Sequence, residues 1–225
     1  MSHKPQFKNA QRHQLSFLTP LEKTTLRWLA ERMPAWVNSD HLTLLGFAGM
    51  ALTGVSYYLT RFNPLFLLAA IVCLAINWFG DSLDGTLARL RHRERPRYGF
   101  YVDHIVDAFG MTFLLAGLGL SGYMSVSVAM AFLIAYFLMN IEIYLATYTL
   151  GVFKLSFGLM GPTELRVLVC TGNLVLLSKQ TVRIGEFNYL LCDVAGVIGV
   201  LVILALTIFS SLKNTMRLYD EERLP

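Results

Sequence analysis

Four acids carry the strongest chemical signal in the chain. Asp81 and Asp84 stand three residues apart, and Asp103 and Asp107 stand four apart. On a helix, either spacing puts both carboxylates on one face. The pairs flank a short basic run, RLRHRERPR at residues 89–97, and strongly apolar sequence lies beyond each pair. Two antiparallel helices joined by that run would set the pairs face to face. Four carboxylates gathered in a partly apolar site repel one another, and there are two escapes. One is protonation. The other is binding divalent cations, since two Mg²⁺ neutralise four carboxylates in formal charge. Mg²⁺ takes hard oxygen ligands and shares its shell with substrate phosphates. A two-metal site suits displacement at phosphorus.

The residues around the acids fit a phosphate ligand. Gly85 follows Asp84, Ala88 comes one turn after it, and Gly99 lies one turn before Asp103. Small side chains on those faces let a ligand approach the backbone. Arg89 follows at once and is a good phosphate partner.

These residues need a scaffold of membrane helices. The chain has 225 residues, is 55% hydrophobic and carries a net charge of +4. That is too apolar for an ordinary soluble domain and fits a single domain. The fold class expected is all-α integral membrane, with six transmembrane helices preceded by an N-terminal amphipathic surface helix. Six spans are expected at roughly 41–60, 65–90, 98–120, 124–150, 163–177 and 187–212. The domain plan is a tail and interfacial helix over 1–40, a six-helix catalytic domain over 41–212, and a C-terminal tail over 213–225. The leading helix, TPLEKTTLRWLAERM, opens on Thr19-Pro20 as cap and first turn. Leu26, Leu29 and Met33 share one stripe, with Trp28 assigned to the headgroups. No early apolar segment suggests a cleavable signal peptide. Cys73, Cys170 and Cys192 are scattered and odd in number, which reads as buried thiols.

Six spans put both termini on one side. That side carries the basic N-terminus, Arg91, Arg93, Arg95, Arg97, Lys154, Lys213, Arg217 and Arg223. The positive-inside rule places it, with the aspartates, in the cytosol. The membrane expected is the cytoplasmic (inner) membrane or an equivalent internal one. The basic run is short and tethered between spans, so no nucleic acid partner is expected. It suits anionic lipid, or steering of a diphosphate.

Asp81-x-x-Asp84-Gly85-x-x-Ala88-Arg89, nine residues, then Gly99-x-x-x-Asp103-x-x-x-Asp107 resembles the signature of the CDP-alcohol phosphotransferases, with all eight defining positions filled. The six spans and leading helix are similar to that family too. The resemblance implies a membrane enzyme in which an acceptor hydroxyl attacks the donor phosphorus distal to cytidine, and CMP leaves. It implies two divalent cations, Mg²⁺ with Mn²⁺ as the alternative, on Asp81, Asp84, Asp103 and Asp107. It makes Asp107 the general base. It assigns Asp84, Gly85, Ala88, Arg89 and Gly99 to the nucleotide donor. It also implies a CDP-linked donor, an alcohol acceptor and a homodimer.

The small span set resembles the CDP-diacylglycerol branch. Asp103-His104 and the GPTE at 161–164 are reminiscent of the CDP-choline and CDP-ethanolamine branch, which uses a diglyceride acceptor. His104, Glu164 and Arg166 are candidate acceptor contacts. Against them stand a structural hydrogen bond for His104 and helix N-terminal chemistry for Thr163 and Glu164. Asn77, one turn before Asp81, is a candidate to orient it. Asn140 and Glu142 need partners that the sequence does not name, and Asp193 reads as interfacial. Two other classes compete. A prenyltransferase would carry two separate acidic motifs on a longer bundle. A cation transporter would leave Gly85, Ala88, Arg89 and Gly99 unexplained.

Overall fold

The computed structural model describes residues 19–151 and 161–223. Among the described residues the fold has seven helices and one hairpin. The helices are α1 (Thr19–Arg32), α2 (Ser39–Leu59), α3 (Phe66–Leu90), α4 (Pro96–Ser121), α5 (Val126–Leu150), α6 (Pro162–Leu176) and α7 (Leu191–Glu221). The hairpin, β1 (Thr181–Ile184) and β2 (Phe187–Leu190), sits between α6 and α7. The basic residues of 1–18 and Lys154 lie outside the described residues.

Among the described residues five helices, α2 to α5 and α7, are long and apolar enough to cross a bilayer. The sequence predicts six. The fifth of those, α6, has 15 residues, so at about 1.5 Å rise it reaches only ~22 Å. The expected start of the last span, 187–190, is a β-strand, and the helix begins at Leu191. It then runs unbroken to Glu221, through residues expected to be a tail.

The body is built on α2, α3 and α4, which meet backbone to backbone. A Cβ on Gly80 would fall 2.4 Å from the Gly46 nitrogen and the Leu42 carbonyl oxygen. One on Gly117 would fall 2.0 Å from the Gly54 carbonyl oxygen, and one on Gly54 would fall 2.2 Å from that of Phe113. No larger residue fits these crossings. Small residues at helix interfaces are how membrane helices gain close packing where the hydrophobic effect is weak. Tyr57, Leu67, Ala70, Leu74, Leu114 and Leu118 fill the core beside this seam. A buried bond from the Tyr57 hydroxyl to Asn173 Oδ1 (2.9 Å) ties α2 to α6.

Local chemistry sets the helix ends. Asn38 caps α2 by accepting from the His41 N–H at 3.0 Å. Gly122, at φ 89°, closes α4 in a left-handed conformation that a Cβ would strain. The Asp193 carboxylate accepts from the Ser125 N–H at 2.6 Å, so this acid caps the start of α5. Glu142 finds its partners on α7, where Ser210 (2.9 Å) and Asn214 (2.7 Å) both donate to it.

The first helix is more than a surface rider. Leu26 and Ala30 are buried on α3 with Leu83 and Leu87, and Leu29 and Met33 pack beside them. Trp28 stays exposed under the Arg32 guanidinium, 4.2 Å from its ring centre. Glu22 Oε1 accepts from the Trp78 indole (3.0 Å) and Ser82 (3.3 Å) on α3, and from Thr163 (2.7 Å) on α6. One carboxylate oxygen therefore binds three elements together.

Candidate active site

All four aspartates lie toward one end of the body, on α3 and α4, as their spacing requires. Two adjoining clefts open there. The first, about 280 Å³ with its open mouth, is lined by Thr43, Gly46, Asn77, Asp81, Asp103 and Asp107, among others. The second, about 400 Å³ with its open mouth, is lined by Asp40, Thr43, Asp84, Gly85, Ala88, Arg93, Arg95, Gly99 and Asp103, among others. Asp103 and Thr43 belong to both walls. The acids are thus divided between two adjoining spaces, one lined by the small residues of the motif and one by Asp107.

Each acid has a different setting. Asp84 is buried, its Oδ2 accepting from Thr43 Oγ1 at 2.6 Å and its Oδ1 from the Gly85 N–H. Asp81 pairs with Arg166, whose Nη2 lies 2.5 Å from Asp81 Oδ2. Asp107 is exposed at its cleft and feels the charges of Asp81, Asp103 and Asp84, opposed by that of Arg166. Facing pairs were expected to converge. Among the described residues, however, no three acids, histidines or cysteines are gathered tightly enough to hold one ion as the side chains stand. Two of the acids are already engaged, Asp81 by Arg166 and Asp84 by Thr43.

The motif's small residues divide by role. A Cβ on Gly99 would meet nothing within 4 Å, so this glycine faces open cleft. A Cβ on Gly85 would lie 3.3 Å from Arg89 Nη1. Arg89 itself is exposed and bonds Thr86 at 3.3 Å, and it does not line either cleft.

The acceptor candidates also separate. Arg166 joins the aspartates: besides Asp81, its Nε donates to Asn77 Oδ1 at 2.9 Å. Glu164 instead turns back to accept from the Gly161 N–H at 3.0 Å, the helix-start chemistry weighed against a binding role. His104 Nδ1 contacts the Phe100 carbonyl at 2.5 Å, and the ring stands edge-on to Tyr144 of α5, 4.9 Å between centroids. Neither Glu164 nor His104 lines the two clefts.

Several site residues escape a reading centred on the acids. Asp40 and Thr43, at the start of α2, line the second cleft, and Asp40 pairs with Arg95 at its mouth. A signal was present in NSDHLT, which crowds polar residues at the start of a span. The arginine run is also divided: Arg91 donates to the Met33 (2.9 Å), Pro34 (3.0 Å) and Val37 carbonyls, closing the end of α1. Asn77 accepts from Arg166 and donates to the Gly46 carbonyl at 3.0 Å, so it bears on Asp81 through the arginine that both hold.

The acids, glycines and clefts fall inside residues 36–209, which match the family described as CDP-alcohol phosphatidyltransferase. Its members are transferases of substituted phosphate groups that serve phospholipid synthesis in membranes, from a CDP-linked donor to an alcohol acceptor. With the match covering most of its length, this chain belongs to the CDP-alcohol phosphatidyltransferase family and is an enzyme of that transferase class.

Proposed function

We propose that the enzyme transfers a phosphatidyl group from CDP-diacylglycerol to the hydroxyl of a small alcohol and releases CMP. The observation that carries this reading is the sharing of Asp103 and Thr43 between a cleft lined by Gly85, Ala88 and Gly99 and a cleft lined by Asp107. Donor and acceptor can then meet at the common wall. The nucleotide side takes the cleft with the small residues, with Arg89 at its edge. The acceptor takes the cleft of Asp107.

In the reaction, the acceptor oxygen forms a bond to the distal phosphorus as the bond from that phosphorus to the CMP oxygen breaks. The acceptor proton passes to Asp107, which is exposed at the cleft, and CMP departs with the electron pair. Asp81, Asp84, Asp103 and Asp107 are the residues that would hold two divalent cations, Mg²⁺ or Mn²⁺. The fit rests on the donor set: hard carboxylate oxygens on adjoining walls, and no thiol or imidazole in either lining. When bound, the cations supply positive charge against the diphosphate and the leaving CMP. Arg166 is the best placed of the three acceptor candidates, because its guanidinium is already at Asp81. His104 and Glu164 line neither cleft and are held by the Phe100 carbonyl and the Gly161 N–H.

The reading includes a cytosolic face for the aspartate end, supported by Arg91, Arg93, Arg95 and Arg97 beside it. It also includes α1 bedded at the membrane surface, α6 completing a sixth membrane segment, and a homodimer. A CDP-choline or CDP-ethanolamine donor with a diglyceride acceptor is the second reading, favoured by the GPTE segment and by His104 beside Asp103.

The deciding experiment uses purified protein in lipid with Mg²⁺. CDP-diacylglycerol is supplied with candidate alcohols one at a time, then CDP-choline with diacylglycerol, and CMP release is measured. Acceptor-dependent CMP that vanishes in Asp107→Asn establishes the reaction and names the substrate. No CMP from either set, with cytidine nucleotides failing to bind, overturns the assignment of these clefts.

A further inference from the structure

The hairpin between α6 and α7 has no part in the site, and its chemistry is two-faced. Its register pairs Val182 with Tyr189 and Ile184 with Phe187, while Thr181 pairs with Leu190 and Arg183 with Asn188. Alternate pairs in a two-stranded ladder share a face. One face therefore carries Val182, Ile184, Phe187 and Tyr189, and the other carries Thr181, Arg183, Asn188 and the half-buried Leu190. On the apolar face Ile184 is 50% exposed, Phe187 68% and Tyr189 46%. Such a face is costly in water, and isolated two-stranded hairpins are marginal there.

Two observations say what covers it. First, α6 reaches only ~22 Å against a hydrocarbon core of about 30 Å, so the chain past Leu176 is still at membrane depth or at a thinned surface. Second, the hairpin leads without a loop into Leu191, the first residue of the spanning α7. The Leu191 N–H donates to the Gln180 carbonyl at 2.9 Å, and Gln180 Nε2 reaches the Tyr123 hydroxyl at 3.4 Å, which holds the hairpin against the turn between α4 and α5. Lys179, just before the hairpin, and Arg183, on its other face, are both exposed and suit headgroup phosphates. Amphipathic rings such as Tyr189 settle at that depth.

We propose that residues 181–190 form an interfacial anchor whose Val182, Ile184, Phe187 and Tyr189 bed among the headgroups and upper acyl chains of the leaflet opposite the aspartate end. The lipid surface completes what the short α6 leaves open. A two-stranded ladder leaves the outer backbone groups of both strands unpaired, which holds the hairpin at headgroup level, where water still reaches them, while its apolar side chains dip below.

The test places a nitroxide on Phe187→Cys and, separately, on Asn188→Cys, in full-length protein lacking its three cysteines and reconstituted in vesicles containing anionic lipid. Relaxation by oxygen, which partitions into lipid, is compared with relaxation by a water-soluble nickel chelate. The expected result is oxygen dominance at 187 and nickel dominance at 188. Nickel dominance at both sites overturns the proposal, and so does shielding of 187 from both reagents, which would indicate a protein partner. A second measurement needs no substitution: the natural chain is irradiated in vesicles bearing diazirine-tagged phospholipid, and the peptides are mapped. Adducts on 182–189 support the anchor. Adducts on α7 with none on 182–189 overturn it.

Discussion

Arg166 and Asn77 are joined by a 2.9 Å bond from the guanidinium Nε to the amide oxygen, and Asn77 in turn donates to the Gly46 backbone carbonyl at 3.0 Å. A cation on α6 is thereby set against an aspartate on α3 by way of the backbone of α2. Replacing Asn77 with Leu leaves the Arg166 Nε without its acceptor in a largely buried place and takes the second donor from the Gly46 carbonyl, which keeps its own helical bond. The expected cost is about 1–3 kcal/mol of stability. The same variant loses activity beyond its loss of folded protein, because Arg166 is no longer aimed. Thermal unfolding in detergent and CMP release per folded molecule separate the two effects.

Asp107→Asn keeps the size of the side chain and removes its basicity. Turnover should fall by roughly 10²–10⁴, the usual worth of a general base. Donor binding, read by protection of the protein against heat by CDP-diacylglycerol, should persist. Loss of both together would mean that Asp107 serves the ligand site and not the proton.

The glycines give a sharper contrast. Gly54→Ala would place a methyl 2.2 Å from the Phe113 carbonyl oxygen, and Gly117→Ala one 2.0 Å from that of Gly54. Backbone cannot yield as a side-chain tip can, so both variants should give little folded protein. Gly99→Ala meets nothing within 4 Å and should melt like the natural enzyme. It should nonetheless weaken the donor's apparent affinity, because the methyl projects into the cleft. Yield and melting temperature test the first pair; the donor KM tests the last.

Glu22→Ala removes the acceptor shared by Trp78, Ser82 and Thr163. A loss of about 1–3 kcal/mol is expected from the three orphaned donors. Because Thr163 lies at the start of the helix carrying Arg166, the acceptor KM should rise more than the donor KM. Steady-state kinetics on the surviving folded fraction checks this.

Chelation by EDTA should abolish CMP release, and Mg²⁺ or Mn²⁺ should restore it. If activity survived thorough chelation, the four acids would have to serve as proton carriers instead.

The acids were legible because helical spacing alone fixes which carboxylates share a face. The spans α2 to α5 were legible because apolar length is a direct readout of bilayer thickness. The hairpin was not, since TVRIGEFNYL offers only four residues per strand beside a longer apolar run that absorbs Phe187 to Leu190. The roles of Glu22 and Glu142 depend on partners 56 to 141 and 68 to 72 positions away, and no local pattern announces a pairing at that distance. Gly46, Gly54, Gly80 and Gly117 were visible as letters, but their meaning lies in which helices cross there. Thr43 escaped notice because its hydroxyl matters only through the Asp84 carboxylate it meets.

The glycine seam has a mechanical consequence. Helices that touch through their own backbones have no side-chain cushion to compress, and any slide of α2 past α3 or α4 drives carbonyl into amide. The frame that carries Thr43, Asp84 and Asp103 behaves as a single stiff body. Outside it, α7 buries only Gly196 within the protein and leaves Leu201, Ile208 and Phe209 bare along its length. Motion that admits a substrate and releases a product therefore belongs to α5 and α7, which can swing as a door, while α6 stays bolted to the jamb through Asn173, Thr163 and Arg166.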